Sequence, residues 1–486
     1  MNIYTTITSK YDLDIAIGLV ENGHKIAVVE INTLNQDRYP IGLDQFLEKN
    51  SPKVILEQNT YNKRIYENKS DPDFSIVTSS FLSNVDDYVR MMLYVMDRLY
   101  FSPLTQHEAH RLAYLYIANC YKVLKSYKID TIYLNNIPHG LNQIALFAVA
   151  KETGIKIIYK NMLSASPYLS YLEEELLPIK RLDYIQRNIL IKDSQNKISF
   201  NDYREQLFEP VYGAEVLKHN RIKQFAKLLY GVIRGKKGEY QLSQFFLEYS
   251  RSKVSLILSI LRYHFDREKV IKFVKNIEKD PCLDEDYFIF FLHYQPEATT
   301  SPQADYFSDQ LLNIKIILSA LPSDAVLYVK EHPGTFTVYG QDKNFRNLSF
   351  YKEIIRDDRV TLISTKENSA ELVQNARAVL STCGSVTWEA LCVGKPAVVF
   401  SFSWFAACDS CYLVNSTNDL KDALTKISKK ISLDVDKDRE VFIKHFYNII
   451  IDAPPDMYAL SEMSKNYDYK QGVKNMIDAI DKTIRK

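Results

Sequence analysis

Apolar positions along the chain fall into short continuous runs separated by stretches spaced three and four apart. Ile3 to Thr8 is a short apolar run, YDLDIAIGLVENGH (11–24) has helical spacing, and KIAVVEIN (25–32) is continuous and β-branched, which predicts strand, helix, strand. A long helical region is predicted from Asn84 to Tyr127, where MMLYVMDRLY and RLAYLYIANCYKVLKSY keep the helical period. The alternation then resumes with the strand IDTIYL (129–134), the loop NNIPHG, the helix LNQIALFAVAKETG ending at Gly154, and the strand IKIIYK (155–160). Residues 177–280 read as amphipathic, basic helical segments with little strand signal. From YFIFFLH (287–293) strands and helices alternate again: AVLYVK (325–330), VTLIS (360–364), ARAVLS (376–381) and PAVVFSF (396–402) are strands, with helices near 306–320, 351, 369–375 and 385–394. Apolar strands alternating with helices predict parallel sheets covered on both faces.

The fold class expected is therefore α/β, with two Rossmann-like domains facing a cleft and a helical insertion or linker between them. The boundaries read as 1–176, 177–280, 281–430, and 431–486 for terminal helices that cross back to the first domain. The length of 486 residues, about three domain equivalents, accommodates this. Lys and Arg number 61 against 60 Asp and Glu, so no global field draws the chain to nucleic acid. Six scattered Cys, no basic and apolar leader at the start, and no run of 18 uncharged apolar residues predict a cytoplasmic protein without a conventional spanning helix. The segment 219–240 mixes Lys and Arg with Ile, Leu, Val and Phe, which suits peripheral contact with an anionic leaflet or, equally, a helix packed on its own protein.

In a parallel sheet the ligand crevice lies beyond the carboxyl ends of the strands. After ARAVLS, the turn Ser381, Thr382, Cys383, Gly384, Ser385 opens a helix and offers N–H groups to an anion, although any capped helix wants such a start. Glu389, one turn on, can accept from ribose hydroxyls or simply complement the helix dipole. After AVLYVK, His332 is held extended by Pro333 and can donate to a phosphate oxygen. Gln295 and Glu297 follow YFIFFLH, and a crevice-facing Glu297 can act as a base or a hydroxyl ligand. In the first domain Asn135, Asn136 and His139 follow IDTIYL, and Ser9, Lys10 and Asp12 follow the first strand, with Asp14 close by. Cys408 and Cys411 form a single CxxC with no second pair, so no zinc site is expected, and Glu173–Glu175 reads as a solvated helix face. P-loop, HExxH and GxSxG patterns are absent.

HYQPEATTSP (293–302), VKEHP (329–333), STCGSVTWEALCVGKPAVVFSFSW (381–404) and NNIPHG (135–140) resemble the bacterial capsule polysaccharide biosynthesis family that includes the capsular Kdo transferases. The resemblance covers residues 287–404 well and the first domain weakly. It implies a GT-B glycosyltransferase that moves an ulosonic acid, Kdo foremost, from its CMP ester to a glycan or glycolipid acceptor of capsule or lipopolysaccharide. By the resemblance His332 and Pro333 belong to a His-Pro motif that contacts the CMP phosphate, and the turn through Ser381, Thr382, Gly384 and Ser385 closes on the same group; Gln295 and Glu389 join them as CMP-sugar candidates by their strand-end and helix positions. By their strand-end positions Asn135, Asn136 and Asp12 are the candidates for the acceptor or sugar side, and Glu297 and His139 are the two candidates for the reacting group. No metal and no cofactor are expected, and peripheral contact with the inner membrane fits the acceptor. Cys383 and Val386-Thr387-Trp388 depart from the family pattern, which leaves another CMP-linked nonulosonic acid open as donor. A nucleotide-sugar 2-epimerase, a polyol-phosphate transferase and a non-catalytic assembly subunit are the alternatives.

Overall fold

The structure is a computed structural model. It describes residues 1–31, 40–58, 69–99, 104–163, 169–189, 253–295, 297–336, 345–414, 416–429, 434–454 and 467–486, with Asn62, Arg64, Ile65, Lys223, Phe225, Ala226, Leu229 and Tyr230. Most of 219–240, and Pro296, lie outside the described residues. In chain order the strands are β1 (Asn2–Ile7), β2 (Lys25–Ile31), β3 (Val54–Glu57), β4 (Thr131–Leu134), β5 (Lys156–Met162), β6 (Leu169–Glu173) and β7 (Tyr287–Phe291). They continue as β8 (Val326–Lys330), β9 (Val360–Ile363), β10 (Ala378–Ser381), β11 (Ala397–Val399), β12 (Cys411–Leu413) and β13 (Ile451–Asp452).

Two compact units result. The first comprises Met1–Leu93, Thr105–Leu207 and Phe446–Lys486, the second Tyr94–Leu104 and Phe208–His445. In the first unit the sheet order is β13-β6-β5-β4-β1-β2-β3. Its strands β1 to β5 run parallel, whereas β6 pairs antiparallel with both β5 and β13. In the second unit the order is β12-β11-β10-β7-β8-β9, and every pairing is parallel. The helix Pro178–Ile189 falls in the first unit and Lys253–Ile277 in the second, where Val270 and Val274 join its core.

Local signals explain the helix starts. Ser9 caps the helix Lys10–Glu21 by accepting from the Asp12 N–H, and Thr105 with Glu108 forms a reciprocal capping box for Gln106–Ser126. The helix Tyr469–Arg485 packs on Lys10–Glu21 by burying Val473, Met476, Ile480 and Ile484 against Leu13, Ala16 and Leu19. Gly18 allows the close approach, since a Cβ there would lie 2.2 Å from Ile477 Cδ1. Tyr469 Oη donates to Asp14 Oδ2 at 2.8 Å, and His24 Nε2 lies 2.6 Å from Asp481 Oδ1.

One sequence expectation needs correction. Glu173 is not on a solvated helix face; it ends strand β6 and is fully buried. Its charge is matched there by Arg181 Nε at 2.8 Å, and Tyr159 Oη donates to the same carboxylate oxygen. Opposite charge and hydrogen bonds offset the cost of taking that carboxylate out of water. Among the described residues no helix is long and apolar enough to cross a membrane, and no group of three or more His, Cys, Asp or Glu is placed to hold a metal ion.

Candidate functional site

The chain of the second unit runs from β7 outward through β8 and β9, then returns to the other side of β7 to lay down β10, β11 and β12. Such a reversal of strand order is where an open α/β sheet places a ligand crevice, at the carboxyl ends of β7 and β10. Three of the sequence-singled loops meet at this point. Phe291, the last residue of β7, is in register with Ser381 of β10 on one side and Lys330 of β8 on the other.

Behind the crevice a buried ion pair fixes the loops. Arg346 Nε donates to Glu331 Oε2 at 2.7 Å, Nη1 to Gln295 Oε1 at 2.8 Å, and Nη2 to the His293 carbonyl at 2.9 Å. Glu331 also accepts from Tyr351 Oη at 2.7 Å, the His332 N–H at 2.8 Å and Thr335 Oγ1 at 3.1 Å. Gln295 completes the frame by donating to the Ser308 carbonyl at 2.7 Å. Its amide is thus engaged on both ends inside the protein.

His332 sits at the edge of this frame, half-buried. Its Nδ1 accepts from the Gly334 N–H at 3.0 Å, so the neutral ring carries its proton on Nε2 and presents a donor there. Burial pushes its pKa down, which favours that neutral form. Pro333 opens a short 3₁₀ turn, Pro333–Phe336.

On the β10 side the turn leads into the helix Ser385–Cys392. Ser381 and Thr382 point inward: Thr382 Oγ1 accepts from Asn313 Nδ2 at 3.0 Å, and Ser381 Oγ lies 3.0 Å from His293 Nε2. Ser385 is exposed and Gly384 is half-buried, while the Cys383 and Gly384 N–H groups donate to His293 Nε2 at 3.1 Å and Ser381 Oγ at 3.3 Å. A Cβ at Gly384 would lie 2.8 Å from Ser381 Oγ and 3.2 Å from His293 Nε2, so the turn requires glycine. Glu389 is half-buried one turn along, and burial raises its pKa. Glu297, about half exposed, has Oε2 at 3.9 Å from His293 Nδ1. Burial opposes its charge, but His293 outweighs this and holds the carboxyl below the usual range.

The first unit repeats the topology, with strand order reversing between β1 and β4. Asn135, just past β4, donates from Nδ2 to Thr8 Oγ1 at 2.7 Å and to Asp12 Oδ2 at 2.8 Å. That Asp12 oxygen also accepts from the Thr8 N–H at 3.0 Å, Thr8 Oγ1 at 2.9 Å and Ser9 Oγ at 2.9 Å. The buried Lys160, near the end of β5, has Nζ at 3.9 Å from Asp12 Oδ1 and 4.5 Å from the centre of the Tyr11 ring. Asn136 is exposed, and its Oδ1 accepts from the Ile137 N–H at 2.7 Å. His139 Nδ1 lies 2.8 Å from the Ile137 carbonyl; a carbonyl only accepts, so Nδ1 carries the proton and Nε2 is the acceptor nitrogen of the neutral ring.

Sequence reasoning singled out neither His293, Arg346 nor Lys160. His293 stands two residues past a strand, the position inspected for the others, and that placement was the available signal. Arg346 carried none, because its partners lie up to 53 residues away.

No protein-family model and no curated protein matches the sequence. Among solved structures, the UDP-GlcNAc 2-epimerase of Methanocaldococcus jannaschii aligns over 89% of this chain and 93% of its own at 15% identity, with a TM-score of 0.24. A β-Kdo 2,7-transferase from Thermosulfurimonas dismutans aligns over 92% and 99% at 10% identity, with a TM-score of 0.32. The UDP-GlcNAc 2-epimerase of Neisseria meningitidis aligns over 99% and 100% at 13% identity, with a TM-score of 0.22. The fold itself stands on the chain's own strand order. This is an α/β protein with two Rossmann-like units.

Proposed function

We propose that this chain is a GT-B glycosyltransferase that moves an ulosonic acid, Kdo foremost, from its CMP ester to a bacterial surface glycan. The observation that carries the reading is the crevice at the ends of β7 and β10. There His332, whose Nε2–H is left as a donor once Nδ1 accepts from Gly334, and the N-terminal turn of the helix Ser385–Cys392 are the groups assigned to the nucleotide phosphate in this reading. The motifs shared with the capsule polysaccharide family favour CMP as the nucleotide, and Glu389 is the candidate partner for its ribose.

In this reading the phosphate leaves with the electron pair of the sugar C–O bond, and the fixed donors stabilise the charge it gains. The acceptor hydroxyl forms the new glycosidic bond and gives its proton to a base. His139 suits that role because its acceptor nitrogen is Nε2. Glu297, held ionised by His293, suits stabilisation of positive charge developing on the sugar. Asp12, Asn135 and Asn136 are the candidates for acceptor recognition in this reading.

A donor screen with CMP-Kdo, UDP-GlcNAc and CDP-polyols, followed by NMR of the product, tests the reaction. A Kdo-glycan product supports it. Formation of UDP-ManNAc would replace it with 2-epimerase activity, polyol transfer with a polyol-phosphate transferase, and failure to bind any nucleotide with a non-catalytic subunit. His332→Ala should weaken CMP binding roughly ten- to a hundredfold, the worth of one charge-assisted hydrogen bond. Transfer should survive EDTA; loss on chelation with recovery on adding magnesium would refute the metal-independent reading.

A further inference from the structure

The helix Lys253–Ile277 belongs to the stretch whose sequence reads as an insertion or linker, yet it reaches the loop that carries His332. Arg267, in the middle of this helix, is buried. Its Nη2 donates to the Thr335 carbonyl at 3.0 Å, and its Nη1 donates to Tyr263 Oη at 2.7 Å, one turn back on the same helix. The guanidinium is thus braced on its own helix by one arm and crosses to the Pro333–Phe336 turn with the other.

Thr335 passes that contact on to His332. Its N–H donates to the His332 carbonyl at 3.0 Å, and its Oγ1 donates to Glu331 Oε1 at 3.1 Å. Gly334, the residue before it, donates its N–H to His332 Nδ1 at 3.0 Å. A Cβ at Gly334 would lie 2.9 Å from that Nδ1 and 3.6 Å from Tyr294 Cδ2, so the imidazole rests directly against the backbone of the turn. A neutral imidazole can carry its proton on either nitrogen. The Gly334 N–H on Nδ1 keeps the proton on Nε2 and makes that atom a donor. A turn free to shift away would let Nδ1 take the proton, and Nε2 would then present a lone pair that repels a phosphate oxygen.

We propose that Arg267 is a positioning residue that locks the Pro333–Phe336 turn against His332 and so holds the His332 Nε2–H as a donor for an anionic nucleotide phosphate. This deepens the reading of the second unit as a nucleotide site and rests on it. Arg267 acts through the turn, and the helix Lys253–Ile277 becomes a working part of that site.

The test uses the full chain at pH 7.5, where burial keeps His332 neutral, with Arg267→Met, Arg267→Lys and Tyr263→Phe. CMP affinity by calorimetry should fall about tenfold in Arg267→Met and roughly two- to fivefold in Tyr263→Phe, which loosens the brace alone. Arg267→Lys, a single ammonium on a flexible stem, should recover part of the loss. Arg359→Met removes a donor to the Leu318 carbonyl just before β9; it controls for destabilisation and should bind CMP normally. In His332→Ala protein, adding Arg267→Met should have no further effect, because the arginine acts only through that ring. Wild-type affinity in Arg267→Met, or losses that add in the double variant, overturns the proposal. Should Arg267→Met fail to fold, Tyr263→Phe and Arg267→Lys carry the same double-variant test. Imidazole ¹⁵N shifts of the ligand-free protein provide a readout independent of binding. An unprotonated Nδ1 on His332 in the wild type, and exchange between both tautomers in Arg267→Met, are the expected results; an unchanged tautomer overturns the positioning role whatever CMP does. If the wild-type protein binds no CMP while Arg267→Met still frees the ring, the nucleotide reading falls and the hold of Arg267 on His332 stands.

Discussion

Arg346→Met isolates the contribution of the buried ion pair behind the crevice. The change removes the donors to Glu331, Gln295 and the His293 carbonyl while keeping an apolar stem over the Phe350 ring, whose centre lies 4.5 Å from the guanidinium. Both partners are essentially inaccessible to water, Glu331 at 1% and Arg346 at 0% side-chain exposure, so the orphaned carboxylate cannot recover solvation. Breaking such a pair from one side costs about 3–5 kcal/mol. The His332 N–H, Thr335 Oγ1 and Tyr351 Oη remain on Glu331 and hold the cost near the lower figure. For a unit of this size, about 3 kcal/mol lowers the melting temperature by roughly 6–12 °C. Scanning calorimetry at pH 7.5 reads it. Arg346→Lys, which keeps the charge but not the planar fork, should lose about half as much. Adding Glu331→Gln to Arg346→Met removes the stranded charge and should restore part of the stability. A shift under about 2 °C, or a double variant no better than Arg346→Met alone, would refute the reasoning.

Other expectations follow from the same site. Gly384→Ala forces a methyl against Ser381 Oγ and His293 Nε2 at 2.8 and 3.2 Å, an overpacking worth about 1–3 kcal/mol, and should weaken CMP binding in titrations more than it lowers thermal stability. Glu389→Gln should raise the melting temperature at pH 7 but not at pH 4. Burial raises the Glu389 pKa, so its favourable contribution is present below about pH 4.5 and fades as the group ionises above it. The same change should weaken CMP binding if the carboxylate holds the ribose, which calorimetry measures directly.

Continuous apolar runs made β1, β2, β4, β5, β7, β8, β9, β10 and β11 legible, because a strand covered on both faces must be continuously apolar. Short strands carried no such signal: Cys411–Leu413 and Ile451–Asp452 are too brief to show a period, and Glu173 disguised the end of β6 as a polar segment. Strand order was also hidden, since periodicity does not record that β10 lies beside β7. The strand-end loops could therefore be identified one by one, but their convergence could not. His293 gains its meaning from Ser381, 88 residues away, and Lys160 from Asp12, far earlier in the chain. Local pattern reports what a residue needs around it and is silent about which distant segment supplies it.

The helix Tyr469–Arg485 closes the first unit from the far end of the chain, and this imposes an order on biosynthesis. When Ile189 has left the ribosome, the apolar face of Lys10–Glu21 has no cover, and the edge of β6 awaits β13. Residues 208–445, all assigned to the second unit, must be made before either arrives. At about 5–20 residues per second that interval is roughly 10–50 s. The second unit has its whole sequence available first and can fold while the first is still incomplete, so a nascent chain stalled before residue 446 would display a sticky helix face and an open sheet edge. Those two surfaces are where a chaperone acting during translation would be needed.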